Sequence, residues 1–192
     1  MPRNAEDARR RLRHAALDLF TEKGFEATTA AEIAARAGVT ERTFFRHFPD
    51  KREVLFEGQE LLGTALTTAI AAVPPGLSPI ETLQRALAAV TGLFEQNRPF
   101  SEPRQRLIAA TPALQEREVA KHAALAGTVA TALRRRGIEA LRADLAAQAG
   151  LAVMSYALAG WFADASLPLG AYLDRAFAVL QELSSPAGGQ ES

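Results

Sequence analysis

The sequence contains no cysteine. Disulfide frameworks, thiolate metal sites and thiol nucleophiles are excluded together. Aromatic residues are scarce at 7%, with one Trp and two Tyr, so Phe supplies most of the rings. Runs of alternating β-branched residues are missing, which removes the signature of half-buried strands. No apolar run approaches the ~18 residues of a membrane span. The most apolar stretch, 145–163, is interrupted by Gln148, Gly150, Ser155 and Gly160. The opening MPRNAEDARRRLRHAA carries charge where a signal peptide has an apolar core. These absences predict a soluble, cytoplasmic protein with no membrane partner.

Net charge is absent too, but by cancellation. Residues 1–52 hold 11 Lys+Arg and 8 Asp+Glu, net +3, and residues 53–192 hold 11 and 14, net −3. A basic end on an acidic body hints at a polyanion partner for the first segment. The three histidines, His14, His47 and His122, lack the repeated Glu-x-x-His spacing of bundle metal sites. No phosphate-binding loop, dinucleotide motif or Ser-His-Asp set is present. Neither an enzyme, nor a metal, nor a cofactor is expected.

What fills the chain is helix formers: Ala, Leu, Glu, Gln and Arg. The fold class expected is all-α. Leu12, Ala16, Leu19 and Phe20 make one apolar stripe on a first helix, about Glu6 to Lys23, stopped by Gly24. Thr29 and Glu32 form a T-x-x-E capping box for a second helix, about Ala30 to Ala37, ended by Gly38. Thr40 is an N-cap for a third, which Pro49 and Asp50 terminate near Phe48. Asp50 and Glu53 read as another capping box, opening a long fourth helix to about Val73. Two short helices around a glycine turn form the helix-turn-helix pattern, whose second helix enters the DNA major groove.

That second helix lies in VTERTFFRHFPDK, residues 39–51. At 100° per residue, Phe44 and Phe48 share a core-facing side, while Arg42 and Arg46 project opposite, flanked by Phe45 and Thr43. The plain reading is a solvated basic face. An exposed Phe45 argues that something covers it.

The stretch ALDLFTEKGFEATTAAEIAARAGVTERTFFRHFPDKREVLF, residues 16–56, resembles the DNA-binding domain of the TetR family of transcriptional regulators. The G-F before T-T, the E-I-A, the A-G-V-T turn, T-F-F-R-H-F and P-D-K carry the likeness. It covers about a quarter of the chain closely. The resemblance implies double-stranded operator DNA as partner, with Glu41, Arg42 and Thr43 nearest the base edges. Arginine can bond two guanine acceptors, and threonine suits several edges. Arg46 joins them from the wheel, and Thr40 begins the helix. Phe45 stands where many relatives carry a tyrosine whose hydroxyl meets a phosphate, so its contact must be apolar. His47 and Lys51 match phosphate-holding positions. Thr29 caps the second helix and can also face a phosphate. Ala31 replaces a longer contacting residue of some relatives. Plainer readings stand beside these: Thr29 as cap alone, His47 as a surface residue, Glu41 as a tuner of the helix start. The RRRLR run at 9–13 fits either a solvated face or a phosphate-contacting arm.

The domains expected are a DNA-binding domain at 1–52, a helical ligand-binding and dimerisation domain at 53–184 and a disordered tail at 185–192. Ser78, Pro79 and Glu81 start a fifth helix reaching about Asn97. A sixth starts at Ser101, a seventh at Thr111-Pro112 and ends at RRRG, an eighth covers about 139–165 and a ninth runs from Pro168 to Ser184. On the eighth, Leu141, Leu145, Leu151, Leu158 and Phe162 form one stripe, and Ala147, Gly150, Met154, Ala157 and Trp161 another. The small-residue stripe suits close approach of a second subunit. A homodimer through the eighth and ninth helices is therefore expected, using Gly150, Met154, Ala157, Trp161, Leu173, Phe177 and Leu180; packing of both stripes within one subunit is the alternative. Phe94, Phe100, Leu107, His122, Met154 and Trp161 are candidate contacts for a small-molecule effector. Few charges lie in the inner stripes, which favours an apolar ligand. The expected function is a repressor released from its operator by such a ligand.

Overall fold

A computed structural model describes residues 2–184, which form nine α-helices, one 3-10 helix and no strand. They are α1 (Pro2–Lys23), α2 (Ala30–Arg36), α3 (Glu41–His47), the 3-10 helix η1 (Glu53–Leu55), α4 (Gly58–Ala72), α5 (Pro79–Gln96), α6 (Arg98–Ala110), α7 (Pro112–Arg135), α8 (Ala140–Ala163) and α9 (Leu169–Ser184). The tail expected at 185–192 lies outside the described residues.

The helix starts follow local chemistry. Thr29 Oγ1 accepts from Glu32 N while the Glu32 carboxylate accepts from Thr29 N, a complete capping box. Ser78 and Glu81 repeat it at α5. Glu139 caps α8, its carboxylate accepting from the backbone of Leu141 and Arg142. α7 ends in arginines followed by Gly137 at φ +85°. Arg136 then donates to the carbonyls of Ile70 and Pro74 at and just beyond the end of α4.

Two boundaries differ from expectation. No long helix starts at Asp50. Its carboxylate accepts from the backbone N–H groups of Arg52 and Glu53, but Glu53 turns to Arg117 and Lys121 and does not complete the box. Val54, Leu55 and Phe56 are consecutive and all buried. An α-helix cannot turn three successive residues to one side, so the chain takes a tighter 3-10 turn, and α4 begins only at Gly58. The sixth helix starts before Ser101, because Asn97 O accepts from both Phe100 N and Ser101 N. Pro99 then falls in the first turn, where a missing N–H is harmless.

The chain divides into two units. One comprises the residues up to Leu61 together with Asn97–Ala123, and the other Leu62–Gln96 together with the residues from Ala124 onward. The division therefore differs from a cut at residue 52. In the first unit, Leu12, Phe20, Ile33, Phe44, Val54 and Phe56 share a core with Phe100, Ile108 and Leu114. Helix α6 and the first half of α7 thus belong with the helix-turn-helix. In the second unit, Leu66, Ile70, Leu83, Leu87, Val129, Leu133, Trp161, Leu173 and Phe177 make a separate core. Helix α8 is long and apolar enough to cross a membrane by length and composition. Its buried stripe, from Ala143 to Trp161, packs instead inside this bundle.

That packing corrects the dimer assignment. Gly150, Met154, Ala157, Trp161, Leu173 and Phe177 are all buried within the chain's own core. A Cβ on Gly150 would lie 2.9 Å from Leu83 Cδ1, so α5 occupies the space that was expected to hold a second subunit. Leu180 is half-buried. The exposed face coincides with neither expected stripe: Leu151 of the leucine stripe is buried and Leu158 and Phe162 are half-buried, while the face carries Leu141, Leu145, Gln148, Ala152, Tyr156 and Ala159 on α8, with Val179 and Leu183 on α9. Their spacing of three and four follows one helix face.

Candidate nucleic-acid interface

Helix α3 is only seven residues long and holds its shape through its neighbours. Thr40 Oγ1 accepts from Thr43 N at 3.2 Å, satisfying one of the orphan N–H groups. The turn before it closes with Gly38 N donating to Ala35 O and Val39 N to Ala34 O. Gly38 has φ +67°, which a side chain would strain. Phe44 and Phe48 point inward, fully buried, with ring centroids 5.7 Å apart. This fixes the rotation of the helix, and hence what faces out.

The outward face carries Glu41, Arg42, Phe45 and Arg46, all exposed, with Thr43 half-buried beside them. No ion pair is made by Arg42 or Arg46 among the described residues. This contrasts with the cations nearby. Arg36 grips Glu22 with both guanidinium nitrogens at 2.9 and 2.8 Å. Arg52 pairs with Asp50, and Lys23 with Glu32. In the RRRLR run, Arg10 and Arg11 reach Asp7, and Arg9 and Arg13 reach Glu57. The guanidinium of Arg13 lies over the Phe100 ring, and burial lowers its pKa. Phe45 is 51% exposed, its ring edge-on to Phe44 at 5.3 Å. The four expected contributors on α3 therefore share one face, and its two arginines have no anion of their own.

His47 ends the helix, half-buried, with Nε2 shielded and unpartnered. Burial first, then the charges of Arg46 and Arg9, push its pKa below the usual histidine range. Thr29 and Thr40 are exposed at their caps. Lys51 departs from expectation. Its ammonium turns inward and donates to the carbonyls of Phe25, Glu26 and Thr28, above the Phe25 ring.

Sequence reasoning missed what braces this head from outside the motif. Arg104 of α6 donates to Leu55 O at 2.6 Å and to Glu118 at 2.8 Å, and stacks over Phe56. Glu53 sits between Arg117 and Lys121. Partners 49 and 64 residues apart leave no periodic signal to find. The effector candidates divide between the units: Phe100, Leu107 and His122 fall in the first, and Phe94, Met154 and Trp161 in the second. Phe100, Met154 and Trp161 are core residues. A surface cleft of about 790 Å³ in the second unit is lined by Ile80, Glu81, Arg142, Leu145 and Leu180 among others, and by none of the six.

Comparison with known proteins agrees with this geometry. Residues 12–57 match the model for bacterial regulatory proteins of the tetR family, and residues 77–184, more than half the chain, match the MftR C-terminal domain. The regulator TcmR of Streptomyces glaucescens is 39% identical over 77 residues, which is 40% of this chain and 34% of TcmR. The repressor Rv3405c of Mycobacterium tuberculosis is 36% identical over 87 residues, 45% of this chain and 44% of its own. The chain thus spans less than half the length of these curated relatives. Among solved structures, Thermus thermophilus FadR in complex with lauroyl-CoA superposes with a TM-score of 0.58 at 23% identity, covering 96% of this chain and 98% of FadR. A helix-turn-helix braced by its own core and family models that match both it and residues 77–184, more than half the chain, lead to one conclusion: the chain belongs to the TetR family of bacterial transcriptional regulators.

Proposed function

We propose that this chain is a cytoplasmic, homodimeric repressor that binds a two-fold operator and releases it when a small, mostly apolar effector binds. The observation that carries the reading is the face of α3. It sets Arg42 and Arg46, both without an internal anion, beside Phe45 on a helix whose rotation Phe44 locks. Arg42 and Thr43 read base edges, with Glu41 at the helix start, Arg46 and His47 approach phosphates, and Thr29 and Thr40 lie at the rim. Phe45 packs its ring on sugar or a thymine methyl.

Dimerisation supports the same reading. One helix-turn-helix spans a half-site, and a two-fold operator calls for a two-fold protein. The exposed stripe of α8 and α9, with Leu145, Tyr156, Val179 and Leu183, is the surface proposed to meet its copy. An apolar effector fits the second unit, whose inner faces hold Leu, Val, Ala, Met and Trp and few charges. FadR of Thermus thermophilus, similar in fold, is solved in complex with lauroyl-CoA, and the acyl chain of that ligand is apolar. Fluorescence anisotropy with DNA from upstream of the chain's own gene, over a salt series, tests the reading. Affinity should fall steeply with salt, and a flat response would remove the proposed face. The effector obeys reciprocity: a coupling of about 1–3 kcal/mol weakens effector binding on operator-bound protein by the same factor that it weakens DNA binding.

A further inference from the structure

We propose that Lys51 is a positioning residue that clamps the loop between α1 and α2, and that it does not hold a phosphate. Its relevance to DNA rests on the reading above. Lys51 stands just beyond α3, yet its Nζ lies 2.8 Å from Phe25 O, 3.0 Å from Thr28 O and 3.3 Å from Glu26 O. An ammonium has three N–H donors, and here three carbonyls take them. The Phe25 ring closes one side, its centroid 4.3 Å from Nζ. The coordination is complete within the chain.

The loop needs such a group. Gly24, at φ +88°, turns the chain out of α1, and the carbonyls of Phe25, Glu26 and Thr28 that follow converge on one group. Thr28 is buried, and its hydroxyl donates to Gly24 O at 2.8 Å. Thr29, the cap of α2, follows directly. The clamp therefore joins the segment that enters α2 to the segment that leaves α3, closing a ring around both helices of the motif. Swinging the ammonium out to a phosphate would take this donor from the partly buried Thr28 O and leave Phe25 O with only the 3.3 Å bond from Thr28 N, and a buried acceptor left unmade costs more than an average hydrogen bond contributes. Lys51 sets the angle at which α2 supports α3.

The chain has three lysines, Lys23, Lys51 and Lys121, so acylation with limiting reagent followed by mass spectrometry reads each one. In wild-type protein without DNA, Lys51 is expected to react roughly tenfold or more slowly than Lys23, as a group shielded behind local opening does. Lys51→Met keeps the stem and removes the donors. It should speed amide exchange over residues 25–33 while leaving the salt slope of DNA binding at the wild-type value. The proposal is overturned if Lys51 reacts as fast as Lys23 in free protein and is protected only by DNA. It is equally overturned if Lys51→Met lowers the salt slope by about 0.9 per subunit, the share of one phosphate each, with exchange unchanged. Should Lys51→Met fail to fold, the wild-type acylation rates decide alone. Should the wild type bind no DNA, the proposed function falls, while acylation and exchange still decide the clamp.

Discussion

Arg42 and Arg46 share a helix face, and the proposed function gives them different tasks. Arg42 sits in the first turn of α3, where a major-groove helix approaches base edges, and has a free guanidinium fork. Arg42→Ala should cost about 1–3 kcal/mol in operator binding and relax preference at one position of each half-site. Binding to a library of single-base operator variants checks this; a loss equal across all variants would make Arg42 a backbone contact. His47 gives a prediction in pH. Its pKa in the free protein is depressed by burial and by Arg46 and Arg9, so at pH 7 it is mainly neutral. A phosphate beside it would favour the charged form and raise the pKa, so binding takes up a proton. Operator affinity should therefore rise as pH falls from 8 towards 6, and His47→Gln should flatten that part of the profile. The same depression acts on folding with a fixed sign. The unfolded chain, with histidine near its usual 6.5, takes the proton more readily, so His47 withdraws stability as pH falls below that value.

At the scale of elements, stability is concentrated in caps. Helices α2 and α3 have seven residues each, too short to persist alone. Thr40→Ala removes the oxygen that satisfies Thr43 N and should cost about 0.5–2 kcal/mol in a denaturant melt. Glu32 shows the same dependence through charge. Lys23, then the backbone and hydroxyl of Thr29, hold its pKa down to about 2. Its contribution to α2 is present above the usual glutamate range and is lost as pH falls towards that value. These features were legible in the sequence because a cap is written within four residues. The rotation of α3 was legible for the same reason, with Phe44 and Phe48 one turn apart. The start of α4 was not, since Glu53 answers to Arg117 and Lys121. Lys51 was not, since its carbonyls lie 23 to 26 residues back. The stripes of α8 were visible but could not be oriented. Leucines on one face and small residues on the other suit either a core or a partner, and only Leu83 pressing on Gly150 settles which.

At the scale of the whole molecule, orientation of α8 becomes an experiment. Tyr156 is 78% exposed and Leu145 62%, so a charge at either should disturb association and little else. Leu145→Glu is expected to give a folded monomer by light scattering, with weakened operator binding. Trp161→Ala, by contrast, hollows the core and should cost about 3–5 kcal/mol in folding before it touches the dimer equilibrium. A Leu145→Glu protein that stays dimeric would move the interface elsewhere.

The first core has a consequence for building chimaeras. Phe100, Ile108 and Leu114 lie some forty residues or more beyond the matched segment 12–57, yet they close the same core as Phe20 and Phe44. The helix-turn-helix head proposed to read DNA is therefore not a contiguous cassette. A fragment cut after residue 61 would uncover the face of α1 on which α6 sets Phe100 against Arg13 and His14, and would tend to self-associate. A graft onto another regulator would carry its specificity only if Asn97–Ala123 travelled with it. Recombination between relatives is expected to tolerate crossovers that keep those two segments from one parent, and to reject those that part them.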